Sequence, residues 1–109
     1  MTINEYQTEA LRTMTGCESP LIVNGVLGLC GESGECADMV KKNIYQGHPL
    51  DFDVLAKELG DVAWYLAVTA FAIGYDLETV LQMKVNKLRK RYPKGFDADR
   101  SLHREEGDV

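Results

Sequence analysis

Apolar residues recur along this chain at helical rather than strand spacing. Ile3, Tyr6, Ala10, Leu11 and Met14 fall three and four apart, the interval that lines one face of a helix. Thr2 and Glu5 form a T-x-x-E capping box ahead of them, so a first helix is expected from about Ile3, fading near Gly16. Pro20 suits the first turn of a second helix. That helix is expected over Pro20–Tyr45, with Leu21, Ile22, Val26, Leu29, Cys30, Ala37 and Val40 on its apolar side. Gly47 and Pro49 mark a loop. A third helix, capped by Asp51 or Asp53, continues through "VLAKELGDVAWYLAVTAFAI" and stops at Gly74. Asp76 caps a fourth, "LETVLQMKVNKLRKRY", which Pro93 and Gly95 end. So short a turn between the third and fourth helices is expected to make them antiparallel neighbours. No strand alternation or internal repeat is present. The expected fold class is all-α: four helices around one core in residues 1–96, with Phe96 able to pack back, followed by a polar, loosely ordered tail over residues 97–109.

Two features depart from a plain amphipathic pattern. The third helix is apolar nearly all round from Val62 to Ile73, and such a helix wants cover on more than one side. In so small a domain that points to a second subunit. The second helix carries glycines at 25, 28, 31 and 34, each costing about 1 kcal/mol relative to alanine in a helix interior. Either another helix approaches closely there, or the glycines leave room beside the acids among them.

Those acids are Glu32, Glu35 and Asp38, three apart in "GLCGESGECADMVKK". The third helix adds Glu58 and Asp61, again three apart. Residues at i and i+3 share a helix face. If the two faces pack together, Glu32, Glu35, Glu58 and Asp61 converge, and only a cation makes that tolerable. An oxygen-only donor set without Cys or His suits Mg²⁺, with Mn²⁺ as the alternative, and Mg²⁺ commonly binds substrate phosphates as well. The competing reading is a solvated stripe paired with Lys41, Lys42 and Lys57. On the fourth helix Lys84, Lys87 and Arg91 share a face, with Arg89, Lys90 and Lys94 nearby. They either complement the helix dipole or clamp phosphate.

Composition narrows the field. The net charge of −5 gives no support to a nucleic-acid polymer as partner. Three cysteines, Cys17, Cys30 and Cys36, include no CxxC pair and read as reduced thiols of a cytosolic protein. The polar, acidic start is not a signal peptide. The longest apolar run falls short of the about 20 residues needed to cross a bilayer. A cytoplasmic location without membrane contact is therefore expected.

At these residues the chain resembles a known family. "GESGE", then "KELGDVAWYLA", then "GYDLETVLQMKVNKLRKRYPKGF" are similar to the MazG-like nucleoside triphosphate pyrophosphohydrolases of the all-α NTP pyrophosphatase superfamily, over about Leu27 to Phe96. The family pattern is EExxE followed by ExxD. By resemblance, Glu32 and Glu35 match the second and third acids of EExxE, and Glu58 and Asp61 match ExxD; together they imply four Mg²⁺ ligands. Gly31 stands where the first Glu belongs. Lys84, Lys87, Arg91 and Tyr92 match the region that contacts substrate phosphates. The resemblance implies Mg²⁺-dependent hydrolysis of a (d)NTP between the α and β phosphates, yielding a nucleoside monophosphate and pyrophosphate. Glu32 or Glu35 is the expected general base, and a homodimer or homotetramer the expected assembly. Trp64, three residues after Asp61, is either a core aromatic or a stacking partner for the base. The alternative is a non-catalytic nucleotide-binding, regulatory helical oligomer, which Gly31 keeps open.

Overall fold

The computed structural model describes residues 1–14 and 21–109. The regular elements among them are all helices: α1 (Ile3–Leu11), α2 (Leu21–Gln46), α3 (Phe52–Ala72), α4 (Leu77–Arg91) and α5 (Ala98–Leu102). Cys17 and the role given to Pro20 lie outside the described residues. The chain forms two compact units, Met1–Leu77 and Glu78–Val109.

In the first unit α1 and α2 both pack against α3. The Thr2 capping box closes as expected: the Glu5 N–H donates to Thr2 Oγ1 at 3.1 Å, and the Thr2 N–H donates to Glu5 Oε2 at 2.9 Å. The helix ends sooner than its apolar spacing suggested, with Arg12 as C-cap. Asp51 caps α3 by accepting from the N–H groups of Asp53 and Val54. The end of α3 is a Schellman motif. Gly74 takes φ +85°; its N–H donates to the Phe71 carbonyl and the Tyr75 N–H to that of Ala70, both at 3.0 Å.

The core of this unit is small-residue packing around Ala10, Ala67, Val68, Ala70 and Leu77. Gln7 is buried within it and spends its amide completely. Its Nε2 donates to the carbonyls of Ala67 and Tyr75, at 3.1 and 3.2 Å, while its Oε1 accepts from the Leu77 N–H at 2.9 Å. One side chain thus ties α1 to α3 and to the turn after it.

Two of the four glycines explain how α2 meets α3. A Cβ on Gly28 would overlap the Tyr65 ring, and one on Gly25 would overlap the Thr69 hydroxyl. Gly31 and Gly34 instead face open space. The expected close approach therefore holds at Gly25 and Gly28, whereas no neighbour explains the glycine at 31 or 34.

In the second unit α4 leads into a turn at Gly95 (φ +94°). Asp97 then caps α5, accepting from the N–H groups of Asp99 and Arg100. The segment expected as a loose tail thus carries a helix. Arg91 is held by Asp108 through two bonds, Nε to Oδ2 at 2.8 Å and Nη2 to Oδ1 at 2.7 Å. Tyr92 and Phe96 pack with ring centroids 5.4 Å apart.

Candidate metal centre

The acids of α2 and α3 meet. Glu32, Glu58 and Asp61 each offer a carboxylate oxygen, and these oxygens all lie within 4.8 Å of one another. The glycine contacts account for this: α2 lies against α3 at Gly25 and Gly28, and Glu32 follows one turn after Gly28 on the same side. Glu32 and Glu58 are partly buried and Asp61 is exposed, so the group opens to solvent on one side.

The electrostatics are those of a site waiting for positive charge. The Glu32 carboxyl is pushed above the usual carboxylate range. Desolvation is the first cause, followed by the charges of Asp61 and Glu58, a hydrogen bond with Glu58, and Glu35. Tyr6, reaching in from α1, has its phenol pushed up by burial first and then by Asp61. The packing of α1 on α3 is what brings Tyr6 near this acid.

The donor set fits a hard divalent cation. Opposite ligands on Mg²⁺ lie about 4.2 Å apart given bonds of about 2.1 Å, and on Ca²⁺ about 4.8 Å. A 4.8 Å group of carboxylate oxygens needs at most small side-chain adjustments to enter such a shell. Glu32, Glu58 and Asp61 are the residues that would hold the ion.

The remaining residues singled out in the sequence are placed as follows. Glu35 is exposed and outside the three-oxygen group; it makes no ion pair among the described residues but acts on Glu32 and Lys42 through its charge. Asp38 belongs to the solvated stripe, paired with Lys42 at 2.6 Å and Lys41 at 3.4 Å, which hold its carboxyl low. Trp64 donates its indole N–H to the Ala10 carbonyl at 3.0 Å and to Thr13 Oγ1 at 2.8 Å, and meets the Tyr65 ring edge-on at 4.9 Å. It is thereby tied into the α1–α3 packing. Lys84 and Lys87 on α4 are exposed. Arg91 is buried against Asp108. The Tyr92 hydroxyl is pushed below its ordinary pKa by Ser101 first, with Arg91 adding to it.

An all-α chain whose two packed helices gather three carboxylates able to hold a metal ion defines a class: a helical, carboxylate-centred domain. The chain belongs to the MazG family, since the model of the MazG nucleotide pyrophosphohydrolase domain matches residues 24–96. The match contains all four acids and runs through both units. Among curated proteins, Gene 37 protein of Mycobacterium phage L5 is 41% identical over 73 residues, covering 63% of this chain and 64% of that protein. The chain thus spans somewhat under two thirds of that relative's length. No solved structure matches the chain significantly.

Proposed function

We propose that this protein is a divalent-cation-dependent nucleoside triphosphate pyrophosphohydrolase, cleaving a (d)NTP between its α and β phosphates to a nucleoside monophosphate and pyrophosphate. The observation that carries the reading is the convergence of Glu32, Glu58 and Asp61 within 4.8 Å, in a chain of the MazG family. A cation bound there, Mg²⁺ by preference and Mn²⁺ otherwise, neutralises phosphate charge and lowers the pKa of a bound water.

The protein's own residues supply the rest. Glu32, Glu58 and Asp61 hold and orient the ion. Glu35 lies outside that group and outside any ion pair, so its carboxylate is available to take the proton of the attacking water. Lys84 and Lys87 are exposed cations suited to phosphate oxygens, and Arg91 joins them once its bond to Asp108 is exchanged. Tyr92 stands beside Arg91, with Arg91 Cζ 5.7 Å from the Tyr92 ring centroid, and helps shape that end of the helix. Trp64 reads as packing rather than base recognition, because its indole N–H is already spent on α1.

The active form is a homo-oligomer, dimer or tetramer, working in the cytoplasm. Leu27, Leu59 and Phe71 are 66%, 55% and 49% exposed, and apolar surface of that extent on α2 and α3 is suited to a second copy. Light scattering on the purified protein tests this directly; a monomer at tens of micromolar refutes it.

The function is tested by incubating the protein with a nucleotide panel and Mg²⁺ while measuring pyrophosphate. Release is expected, lost with EDTA and in Glu58→Ala and Asp61→Ala. Mg²⁺-dependent nucleotide binding without release supports the second reading, a regulatory nucleotide-binding module. Gly31 favours that reading, since it stands in place of the family's first acid.

A further inference from the structure

The second unit contains a cleft that the metal centre does not use. It has a volume of about 290 Å³ and is lined by α4, α5 and the segment after them. Five cations face it, Lys87, Lys90, Arg91, Arg100 and Arg104, against three acids. In a chain of net charge −5 this is a local reversal of sign.

Its charges are unevenly satisfied. Lys90 reaches Glu105 only at 3.7 Å, between exposed side chains. Arg100 donates to the Arg91 carbonyl at 3.5 Å rather than to an acid. Lys87 and Arg104 make no ion pair among the described residues, and their charges bear on Asp108 from further away. Asp108 is a carboxylate on which Arg91, Arg104 and Lys87 all act. It is gripped by the Arg91 guanidinium in the two-pronged geometry that serves phosphate as well as carboxylate. The Arg91 side chain is only 7% exposed, so it needs an anion at all times. Asp108 can leave only if another oxyanion takes its place.

We propose that this cleft is a binding site for a phosphoanhydride group, a di- or triphosphate, and that Asp108 is its built-in occupant, displaced as the phosphate enters. Five cations against three acids leave the cleft net positive even with Asp108 in place, and a pyrophosphate or triphosphate carries negative charge to match. The volume falls just below the usual range for small-molecule pockets, suited to a phosphate chain rather than a whole nucleotide. The inference rests on the proposed function in one respect, that Lys87 and Arg91 meet phosphate, and adds Arg104 and the competing Asp108. It concerns the second unit alone and needs neither metal nor turnover.

The test is calorimetry and thermal shift in EDTA with pyrophosphate, tripolyphosphate and a nucleoside triphosphate, using sulfate as control. The wild type is expected to bind tripolyphosphate weakly but better than sulfate. Asp108→Asn frees Arg91 of its competitor and is expected to tighten binding about tenfold or more, the scale of one charge-assisted contact. Its melting temperature becomes more dependent on added polyphosphate than that of the wild type. Arg104→Gln keeps the Arg91–Asp108 pair and is expected to weaken binding several-fold. The proposal is overturned if Asp108→Asn binds no more tightly than the wild type, which would make Asp108 a structural tether only. Unchanged affinity in Arg104→Gln, or no preference over sulfate, overturns it equally. Free pyrophosphate binding as well as the nucleotide identifies the product as ligand; a strong preference for the nucleotide identifies the substrate. EDTA removes the metal centre from the measurement, so a negative result here leaves the hydrolase reading intact. An inactive acid centre likewise leaves this one intact.

Discussion

Replacing Gly28 by alanine tests the packing that brings the acids together. A Cβ there would overlap three atoms of the Tyr65 ring. A whole ring must therefore move, and this one is braced edge-on against Trp64 at 4.9 Å. Alanine gains about 1 kcal/mol of helix propensity. Overpacking of this kind costs about 1–3 kcal/mol, and a hit on three ring atoms belongs at the upper end. The net expectation is a loss of about 2 kcal/mol, or about 8–16 °C in melting temperature for a domain near 100 residues. Gly31→Ala, in the same helix but with no neighbour within 4 Å of its Cβ, is the control. It receives the propensity gain alone and should rise by about 0.5–1 kcal/mol. The two variants are compared by thermal melts with and without Mg²⁺. If α2 backs away from Tyr65 it carries Glu32 from Glu58 and Asp61, so the Mg²⁺-induced rise should shrink in Gly28→Ala and persist in Gly31→Ala. Equal stabilisation by the two substitutions would refute the close approach of α2 and α3.

Gln7→Ala leaves the Leu77 N–H and the Tyr75 carbonyl without their buried partner and should cost about 2–4 kcal/mol, read by urea denaturation. Thr69 Oγ1 is buried with no hydrogen-bond partner among the described residues; Thr69→Val should therefore raise the melting temperature, by about 1 kcal/mol of stability, and a fall would reveal a missed partner. Glu32 has a folded pKa above its unfolded one, so its contribution to metal-free stability is fully present below the unfolded pKa and is lost as pH rises through the folded value. The difference in melting temperature between wild type and Glu32→Gln should accordingly move against the wild type as pH rises from 4 to 7, and Mg²⁺ should cancel the trend. Asp108 behaves oppositely: its folded pKa is depressed, chiefly by Arg91, so the pair's contribution is present above the unfolded pKa and lost as pH falls through the folded value. Asp108→Asn should remove that acid-side loss.

The all-α class and most helix boundaries were legible because they rest on local chemistry. Thr2 with Glu5, Asp51 and Gly74 signal their ends through bonds that span a few residues, and each performs that role in the structure. The acids at 32, 58 and 61 were legible as a candidate site because i, i+3 spacing on neighbouring helices leaves few other destinations. The end of α1 was misread, since Met14 keeps the apolar spacing after the backbone has left the helix. The helix α5 was missed, although Asp97 before Asp99 and Arg100 is the same capping chemistry that marked α3. A short polar stretch gives no apolar periodicity to support it.

Other features depended on chain segments far apart meeting. The sequence alone presented four glycines as equivalent; packing against Tyr65 and Thr69 separates Gly25 and Gly28 from Gly31 and Gly34. It offered Trp64 as core aromatic or base platform, and only the fold shows its indole N–H tied to the carbonyl of Ala10 and the hydroxyl of Thr13. It grouped Arg91 with the phosphate-binding cations, and Asp108, 17 residues away, occupies it. Helix type and ends follow from interactions within a turn or two, which the order of residues specifies directly. Which partner a ring, a guanidinium or a carboxylate finds is a competition among groups distant in the chain, and only the packed fold decides it.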